Sequence, residues 1–575
     1  MEIKLARAAG FCMGVKRAVD IVLEIAQREE GRRIYTYGPL IHNPQTIELL
    51  KRRGIIPVKS IAEIEDKQNA ILIIRAHGIA PQERKAIKES GIEIVDATCP
   101  KVGYVQAIIK KHAALDYAVL IVGDKEHPEV DGLLGYAGNR GYVVATAAEL
   151  EKLPHFDKVC VVAQTTQNLK DYQEIVGRIK ELCPDTVIFN TICSSTEQRQ
   201  KEILAMAGKM DAIFIVGGKN SANTKRLADL ARKQNTPAFH IETAEELAAI
   251  NFNGLNRIGV SAGASTPNWI IDSVMDGIAT CQRRQKKITG RLFDLWVLSV
   301  KSDIYSAVGA GCLCLMAMIL QNIPVSFSHI AIASFFVYTM HILNRLISRR
   351  PVGFTGSFRE ETYAKHEKAY LHAAAVCIIS ALLLALYVGF INFFFLLVIS
   401  FTGAIYNMKI MPASWRVQSL KDLPGSKNIF MAVAWGTVAA VLPAVKADFS
   451  FNINLFVAFI FTFGIVFIRS AMSDILEIQS DKLLGRETIP VLIGKNNTLI
   501  VLMVISFILL FILFFSHFVG SVPALGVYLS VCILYLWICF QLYDRKSGLS
   551  GAVMEGILET SYIIAGFCVL LWLVM

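Results

Sequence analysis

The stretch VGDKEHPEV, Val122 to Val130, decides how the first half of the chain is interpreted. It joins an apolar run, Tyr117 to Val122, to a glycine turn that carries a histidine and a glutamate, His127 and Glu129. The run predicts a buried strand, and Gly123 permits a sharp exit from it. Ligands of open α/β folds collect beyond the carboxyl ends of strands, so both side chains are candidates for a binding site. A polar surface loop is the alternative for this stretch taken alone.

The same arrangement occurs six times before about residue 285. Continuous apolar runs of this kind are typical of strands buried on both faces. The runs are Arg33 to Tyr37, Ala70 to Ala76, Tyr117 to Val122, Val159 to Gln164, Ala212 to Gly217 and Arg257 to Ala262. The polar residues after them are, in order, His42, His77, His127 with Glu129, Thr165 with Thr166, Ser221 with Asn223, and Ser265.

Six strands in three pairs predict three similar α/β units around one centre. We place the units near residues 13–97, 98–194 and 195–285, after an N-terminal segment. Because the polar loops all follow strand ends, we expect them to face one shared cavity.

Each unit also has a cysteine in a turn-like setting, namely Cys12, Cys99 and Cys193. For one such cysteine alone, a small buried side chain is the simpler explanation. The separations are too wide for a zinc finger or ribbon. Three cysteines, one in each similar unit, instead favour a central iron-sulfur cluster with one iron left open to a substrate.

The composition indicates a second, membrane-bound half. Of the 575 residues 54% are hydrophobic, mean hydropathy is +0.46, and the apolar excess follows about residue 295. The net charge is +10, but the basic residues cluster beside apolar spans, which favours membrane topology over nucleic acid as the explanation. Residues 1–14 lack a sustained apolar core, so we expect no secretory signal. Twelve cysteines without a framework of close pairs indicate a reducing compartment.

A basic linker, residues 286–295, precedes a predicted all-α polytopic bundle of about nine helices in residues 296–575. We place the spans near 303–321, 327–346, 371–389, 391–407, 428–445, 453–471, 497–516, 523–541 and 556–574. The loops on one side are rich in basic residues: Arg345, Arg349, Arg350, Lys409, Arg416, Lys421, Lys427, Lys482, Arg486, Lys495, Arg545 and Lys546. The opposite loops carry little beyond Lys446. The positive-inside rule makes the rich side cytoplasmic, which predicts a multi-pass protein of the inner (cytoplasmic) membrane.

Taken together, the motifs of residues 1–285 resemble those of the 4-hydroxy-3-methylbut-2-enyl diphosphate reductase family. They occur in one order: GFCMGV, GPLIHNP, RAHG, DATCP, GDKEHPE, QTT, NTIC, GGKNSANTKRL and SAGAS. The resemblance implies reductive dehydroxylation of that diphosphate to isopentenyl and dimethylallyl diphosphate, the last step of the methylerythritol phosphate route to isoprenoids. It also implies an external electron donor such as a ferredoxin or flavodoxin, since no flavin or nicotinamide fingerprint is present.

The resemblance further implies roles for individual residues. Cys12, Cys99 and Cys193 match the ligands of a 4Fe-4S cluster, and Glu129 matches the proton donor, with Thr165 as a relay. Substrate contacts are implied for His42, His77, His127, Thr165, Ser221, Asn223 and Ser265. Ala222 departs from the family's usual serine, for which we expect a modest loss of diphosphate affinity.

In the membrane half the informative stretch is SDILEIQSDKLLGRETIPVLIG, residues 473–494. Asp474, Glu477 and Asp481 lie at i, i+3 and i+7, which predicts three carboxylates on one helix face. Such a face can hold Mg²⁺ bound to a diphosphate. A charged loop whose carboxylates pair with Lys482 and Arg486 is the equally weighted alternative.

This acidic run, with nine spans, is similar to the UbiA-type intramembrane prenyltransferases over residues 290–575. The second acidic motif of that family departs here, because Asn344 is kept but Arg345 and Ser348 replace the aspartates. In one alternative, cationic side chains bind the diphosphate in place of a metal, and the candidates are Arg345, Arg349, Arg350, Lys421 and Lys427. In the other, Glu360 and Glu361 supply the carboxylates that the second motif lacks.

Three hypotheses stay open for the whole chain. The first is a reductase fused to a prenyltransferase that binds a prenyl diphosphate and has an unknown acceptor. The second is the same reductase on a non-catalytic membrane anchor or lipid-binding domain. The third is a cluster-based sensor, which the complete set of expected catalytic residues argues against.

Overall fold

The computed structural model describes residues 2–29, 31–283, 289–347, 363, 366–406, 420, 423, 425–445, 452–484, 486–544 and 551–574. They form two compact units, Met1–Gly277 and Ile278–Met575. Several residues named from the sequence lie outside the described residues: Ser348, Arg349, Arg350, Glu360, Glu361, Lys409, Arg416, Lys421, Lys446, Arg545 and Lys546.

In the first unit the described residues form three four-stranded sheets, in which every strand pair is parallel. The strands are β1 Glu2–Leu5, β2 Arg33–Tyr37, β3 Ile55–Val58, β4 Ala70–Ile74, β5 Glu93–Asp96, β6 Ala118–Val122, β7 Gly141–Val144, β8 Lys158–Ala163, β9 Asp185–Ile188, β10 Ala212–Val216, β11 Ala238–Ile241 and β12 Arg257–Ala262. The strand orders are β3-β2-β4-β5, β7-β6-β8-β9 and β11-β10-β12-β1.

The six predicted strands are confirmed as β2, β4, β6, β8, β10 and β12, with ends that agree within two residues. They occupy the two central positions of each sheet. Their side chains are almost entirely buried, as in β4, where all five residues are buried. This explains their continuous apolar composition, because helices cover both faces of a parallel sheet.

The third sheet is completed by the N-terminal strand. β1 pairs with β12, in the position that β5 and β9 hold in the other two sheets. The predicted N-terminal segment is therefore the fourth strand of the third unit. The three units share one arrangement of strands, but in the third unit the strand beside β12 comes from the start of the chain.

Helices connect the strands: α1 Met13–Arg28, α2 Pro44–Arg52, α3 Pro81–Glu89, α4 Pro100–Ala113, α5 Pro128–Ala137, α6 Leu169–Leu182, α7 Ser194–Met206, α8 Ala222–Arg232 and α9 Asn268–Arg283. Proline opens α2, α3, α4 and α5, where its fixed φ suits the first turn and its missing N–H is not needed. As a result, helices start immediately after the strand-end loops.

The second unit is helical. Its helices are Thr289–Lys301, Ile304–Leu320, Phe327–Ile347, Glu367–Val388, Phe390–Tyr406, Ser426–Gly436, Ile453–Leu476, Ile478–Leu484, Ile489–Ile493, Lys495–Phe518, Leu525–Tyr528, Ser530–Asp544 and Gly551–Val574. Because the helix Thr289–Lys301 covers residues 289–295, that part of the predicted linker is helical.

Among the described residues, seven helices are long and apolar enough to cross a membrane. The count is eight if Arg291–Lys301 and Ile304–Leu320, which meet at 79°, form one bent span. Each of the nine predicted spans corresponds to helix, and Phe390–Tyr406 has 17 described residues, fewer than the roughly 20 that a span needs. The unit is therefore a multi-pass membrane domain, with seven or eight full-length spans among its described residues where the sequence predicts about nine.

Candidate functional site

Loops from all three sheets of the first unit line one cavity of about 100 Å³. Every polar residue predicted from the strand ends contributes to its wall: His42, His77, His127, Glu129, Thr165, Thr166, Ser221, Asn223 and Ser265. The three cysteines line it as well. The polar residues follow the central strands of the sheets, and the cysteines follow the edge strands β1, β5 and β9.

The cysteines share one local structure, since each precedes a helix as its N-cap. Cys12 precedes α1, Cys99 precedes α4 and Cys193 precedes α7. The Val15 amide donates to the Cys12 sulfur at 3.4 Å. All three are free thiols that reach partly exposed surface in the cavity. Each thiol therefore lies at the positive end of a helix, although burial raises the pKa of Cys99.

The space beside the cysteines depends on Gly14. A Cβ on Gly14 would lie 2.5 Å from the Cys99 sulfur and 3.9 Å from the Cys12 sulfur. Glycine at this position therefore keeps room between the two thiols. The described residues include no three metal-binding side chains close enough to hold a single ion. Cluster ligands each bind a different iron and lie farther apart, so the three thiols fit a cluster rather than one ion.

Three histidines also line the cavity. The ring centroids of His42 and His77 are 4.5 Å apart, and His127 lies 5.5 and 5.7 Å from them. Burial lowers the pKa of His42 and His77, and it lowers the pKa of His127 to about 4. Because Arg75 adds positive charge nearby, all three rings are neutral at pH 7.

Donors in this part of the cavity lack partners within the described structure. His42 Nε2, His77 Nδ1 and Asn223 Nδ2 are buried without a hydrogen bond. Buried polar groups are almost always paired, so these atoms are candidates for contacts with a ligand. Several donors around one cavity suit an anion that offers many acceptor oxygens.

Glu129 and Thr165 form a buried pair. The Thr165 amide donates to Glu129 Oε1 at 2.7 Å, and the Thr165 hydroxyl donates to Oε2 at 2.9 Å. Glu129 is only 2% exposed. Burial raises its pKa, although the two bonds from Thr165 and the nearby Arg226 oppose the shift. The pair is therefore held in one geometry and can keep a proton that an exposed glutamate would lose.

The hydroxyl side chains of the site are anchored to the protein. Ser265 donates to the His42 carbonyl oxygen at 3.0 Å, which ties the loop after β12 to the loop after β2. Ser221 is the N-cap of α8 and accepts from the Thr224 amide at 3.3 Å. Ala222, the first residue of α8, lines the cavity between Ser221 and Asn223.

The turn of the opening stretch differs from the prediction in one respect. Gly123 does not have a positive φ, and the left-handed residue of this turn is Glu126 at φ 65°. Glycine is required at 123 because a Cβ there would lie 2.9 Å from Val130 and 3.0 Å from Gln164. Close packing, rather than a sharp bend, explains Gly123.

Two arginines at the site were not predicted. Arg199 lines the cavity, is 2% exposed, and lies six residues after Cys193. Arg226 pairs with Asp124 at 2.5 Å and donates to the Thr166 carbonyl at 3.2 Å, which joins the loops after β6 and β8. Arg226 lies inside the quoted motif GGKNSANTKRL and Arg199 follows the motif NTIC by six residues, so a cation in or just after each motif was the available indication.

In the membrane unit the predicted acidic face is interrupted. The helix Ile453–Leu476 ends before Glu477, whose φ of −97° and ψ of 7° leave the helical region, and Asp481 lies on the next helix, Ile478–Leu484. The prediction that three carboxylates lie on one continuous helix face is therefore wrong. Asp474 is buried and accepts from Lys427 Nζ at 2.7 Å and from Asn428 Nδ2 at 2.8 Å.

Arg345 is also paired within the protein. Its guanidinium donates twice to the buried Asp303, at 2.6 and 2.9 Å, and the Tyr363 hydroxyl donates to the same carboxylate at 2.6 Å. A second buried ion pair, which the sequence did not indicate, joins Arg469 to Glu559. Asp481 differs, because neither of its buried carboxylate oxygens has a hydrogen bond and Arg486 lies 3.6 Å away.

These contacts do not fit a two-magnesium site within the described residues. Both oxygens of Asp474 are engaged by a lysine and an amide, and Arg345 neutralises Asp303. No described group of three metal-binding side chains is close enough for one ion. The described side chains of this unit are therefore arranged to neutralise one another rather than to bind two magnesium ions.

Comparison with known proteins assigns the two halves to different families. The LytB protein family model matches residues 3–279, and the UbiA prenyltransferase family model matches residues 364–554. The 4-hydroxy-3-methylbut-2-enyl diphosphate reductase of Geobacter sp. strain M21 is 42% identical over 283 residues, which are 49% of this chain and 99% of the relative.

Solved structures resemble each half. The E-1-hydroxy-2-methyl-but-2-enyl-4-diphosphate reductase of Plasmodium falciparum is 30% identical over 48% of this chain and 87% of its own, with a TM-score of 0.46. A UbiA homolog from Archaeoglobus fulgidus bound to GPP and Mg²⁺ is 17% identical over 48% of this chain and 99% of its own, with a TM-score of 0.34. Through its first half the chain belongs to the 4-hydroxy-3-methylbut-2-enyl diphosphate reductase (LytB) family, and its second half contains a UbiA prenyltransferase family domain.

Proposed function

We propose that the first half of the chain reductively removes the allylic hydroxyl of 4-hydroxy-3-methylbut-2-enyl diphosphate to give isopentenyl and dimethylallyl diphosphate. The observation that carries the proposal is the buried Glu129–Thr165 pair, which shares one cavity with three free cysteines and three neutral histidines. Family membership supports the same substrate.

The reaction breaks a C–O bond, forms a C–H bond and releases water, with uptake of two electrons and two protons. A 4Fe-4S cluster held by Cys12, Cys99 and Cys193 would supply the electrons and an open iron that polarises the departing oxygen. An external donor such as a ferredoxin or flavodoxin would deliver the electrons, consistent with the absence of a nucleotide-binding fingerprint in the sequence.

The chain's own residues bind the diphosphate. His42, His77 and Asn223 offer buried N–H groups that lack other partners in the described structure. Neutral rings can donate without repelling one another, and the negative diphosphate would raise the pKa of each histidine when it binds. Ser221, Ser265, His127 and Thr165 complete the proposed contacts, and Ala222 provides no side-chain donor.

Glu129 holds the proton. Its buried carboxyl has a raised pKa, and a bound diphosphate would raise that pKa further. The Thr165 hydroxyl lies 2.9 Å from Glu129 Oε2 and donates to it when the carboxylate is ionised. When Glu129 is protonated on Oε2, this bond reverses: Glu129 donates to the threonine oxygen, and the threonine hydroxyl passes its own hydrogen toward the substrate. We therefore assign Glu129 as general acid and Thr165 as its relay.

Turnover under anaerobic conditions tests this function. The full-length protein in lipid, with its cluster reconstituted, should convert the substrate to both products when a low-potential reductant is supplied. Cluster binding without turnover would favour the sensor hypothesis. We place the reductase half in the cytoplasm, at the inner membrane, because the described basic residues Lys427, Lys482, Arg486 and Lys495 fall on the predicted cytoplasmic side.

For the membrane half, the family match favours prenyl transfer from a prenyl diphosphate to an acceptor that remains open. Asp474 is paired with Lys427, and Arg345 is paired with Asp303. Because both residues are already engaged within the protein, their contacts favour the alternative, an anchor or lipid-binding domain. Breakdown of prenyl diphosphates of several lengths, with and without Mg²⁺, separates the two. Metal-dependent turnover that both Asp474→Ala and Asp481→Ala abolish would establish a second enzyme and restore Asn344, Asp474, Glu477 and Asp481 as its metal-diphosphate site. Unchanged behaviour of both variants would leave one enzyme on a membrane domain.

A further inference from the structure

Arg199 is a buried cation without an anionic partner among the described side chains. It is 2% exposed, and no carboxylate lies within 4 Å of its guanidinium. Glu202, one turn along α7, accepts a hydrogen bond from the Ala8 amide instead. A buried charge without an ionic partner is unfavourable, so an anion beside Arg199 would stabilise it.

The guanidinium connects two of the cysteine loops. Nη2 donates to the Gly10 carbonyl at 2.6 Å, two residues before Cys12. Nη1 donates to the Ser195 carbonyl at 3.0 Å and to the Ser195 hydroxyl, two residues after Cys193. Nε is buried and has no hydrogen bond. All these acceptors are neutral, and each lies two residues from a cysteine.

The cysteines are the negative groups that Arg199 faces. Burial lowers the pKa of Arg199, and the negative groups that oppose this shift are Cys12 and Cys193, followed by Glu202. Arg199 also lines the same cavity as the three thiols. When thiolates hold a cluster, this cation is therefore next to their combined negative charge.

We propose that Arg199 is the counter-charge of the cluster and raises its reduction potential, while its planar fork fixes the Cys12 and Cys193 loops relative to each other. The inference rests on the proposed function, because it requires the cluster. Reduction adds negative charge, and a nearby buried cation stabilises the reduced form more than the oxidised one. Arg199 is thus a positioning and tuning residue that need not touch the substrate.

The test compares three variants of the full-length protein in lipid. Arg199→Gln removes the charge but keeps polar donors, and Arg199→Lys keeps the charge but loses the fork. Arg232→Gln, at a half-exposed surface arginine on α8, is the matched control. Iron per protein and the midpoint potential from a redox titration followed by electron paramagnetic resonance are measured for each.

We expect Arg199→Gln to shift the potential to more negative values, while Arg199→Lys and Arg232→Gln stay near the unsubstituted protein. An unchanged potential in Arg199→Gln overturns the proposal. So does a raised KM at unchanged potential, since the counter-anion would then be the diphosphate. If Arg199→Gln loses iron, Arg199→Lys decides between the two roles: a retained cluster at normal potential supports the counter-charge, whereas lost iron there overturns the counter-charge and leaves the hydrogen bonds of the fork as the role of Arg199. Absence of a cluster in the unsubstituted protein would instead refute the proposed function.

Discussion

The two halves of the chain treat buried polar groups in opposite ways. In the reductase cavity, His42, His77 and Asn223 keep buried donors without partners in the described structure. In the membrane unit, the charged side chains of Asp303, Asp474 and Glu559 are each paired with a cation from another helix. The donors of the first arrangement can bind a ligand, whereas the charges of the second are neutralised by other side chains of the protein.

The difference shows that polar residues at helix ends have two explanations that the sequence does not separate. Buried ionisable groups in a membrane domain are costly and often functional. They can also serve as contacts that join helices, where their energy comes from each other. Asp481 is the membrane residue that most resembles the reductase site, because neither of its oxygens has a hydrogen bond among the described residues, although Arg486 lies 3.6 Å away.

The largest effect is expected when one of the proposed cluster ligands in the reductase cavity is replaced. Cys99→Ser should lose cluster iron and all turnover, because one of three ligands is gone. Iron per protein and visible absorption measure this. Cys160→Ser is the matched control, since Cys160 is fully buried in β8 and outside the cavity. A full complement of iron in Cys99→Ser would exclude Cys99 as a ligand.

A smaller but still large effect should follow from removing the proton. Glu129→Gln should keep the iron and lose turnover by about 100-fold or more, the usual contribution of a general acid. Glu126→Gln, three residues earlier on the exposed turn, should change little. Single-turnover kinetics on the reduced protein measure the chemical step. Near-normal turnover in Glu129→Gln would end its role as proton donor.

The buried ion pair between Arg469 and Glu559 tests whether charges in the membrane half are structural contacts. Glu559→Gln should destabilise the unit by about 3–5 kcal/mol, because it leaves a buried cation unpaired. The double variant Arg469→Met with Glu559→Met should recover most of that loss. Thermal unfolding in detergent, followed by reaction of the buried Cys314, gives the comparison. A harmless Glu559→Gln would indicate that the pair is not a structural contact.

The smallest effect concerns pH and the neutral histidines. The folded-state pKa of His127 is about 4, below its ordinary 6.5, so the native protein binds fewer protons than the unfolded chain between these values. The stability that the neutral ring contributes is present above pH 6.5 and is lost as pH falls toward 4. The cluster-free protein should unfold at lower temperature across this window, and His127→Gln should make the dependence shallower. An unaltered slope in the variant would show that His127 is already charged in the native state.

The central strands and their polar loops could be predicted because a strand that is buried on both faces consists of a continuous run of apolar residues. The six edge strands were missed, since each has only four residues and a mixed exposure pattern, as in the strand Glu93–Asp96. The cysteines were found through motifs rather than through strands. Their shared position after three edge strands became visible only in the sheet order.

By itself the sequence determined the fold class, the two families, and the three cysteines and strand-end polar residues around the cavity, because periodicity and local motifs depend on neighbours in the chain. Tertiary structure alone decided that the N-terminal strand completes the third sheet, that Arg199 joins two cysteine loops, and that Lys427 engages Asp474. Each of these contacts joins residues far apart in sequence. Burial then decides how much each charge matters, and no local pattern records which distant group a buried charge will meet.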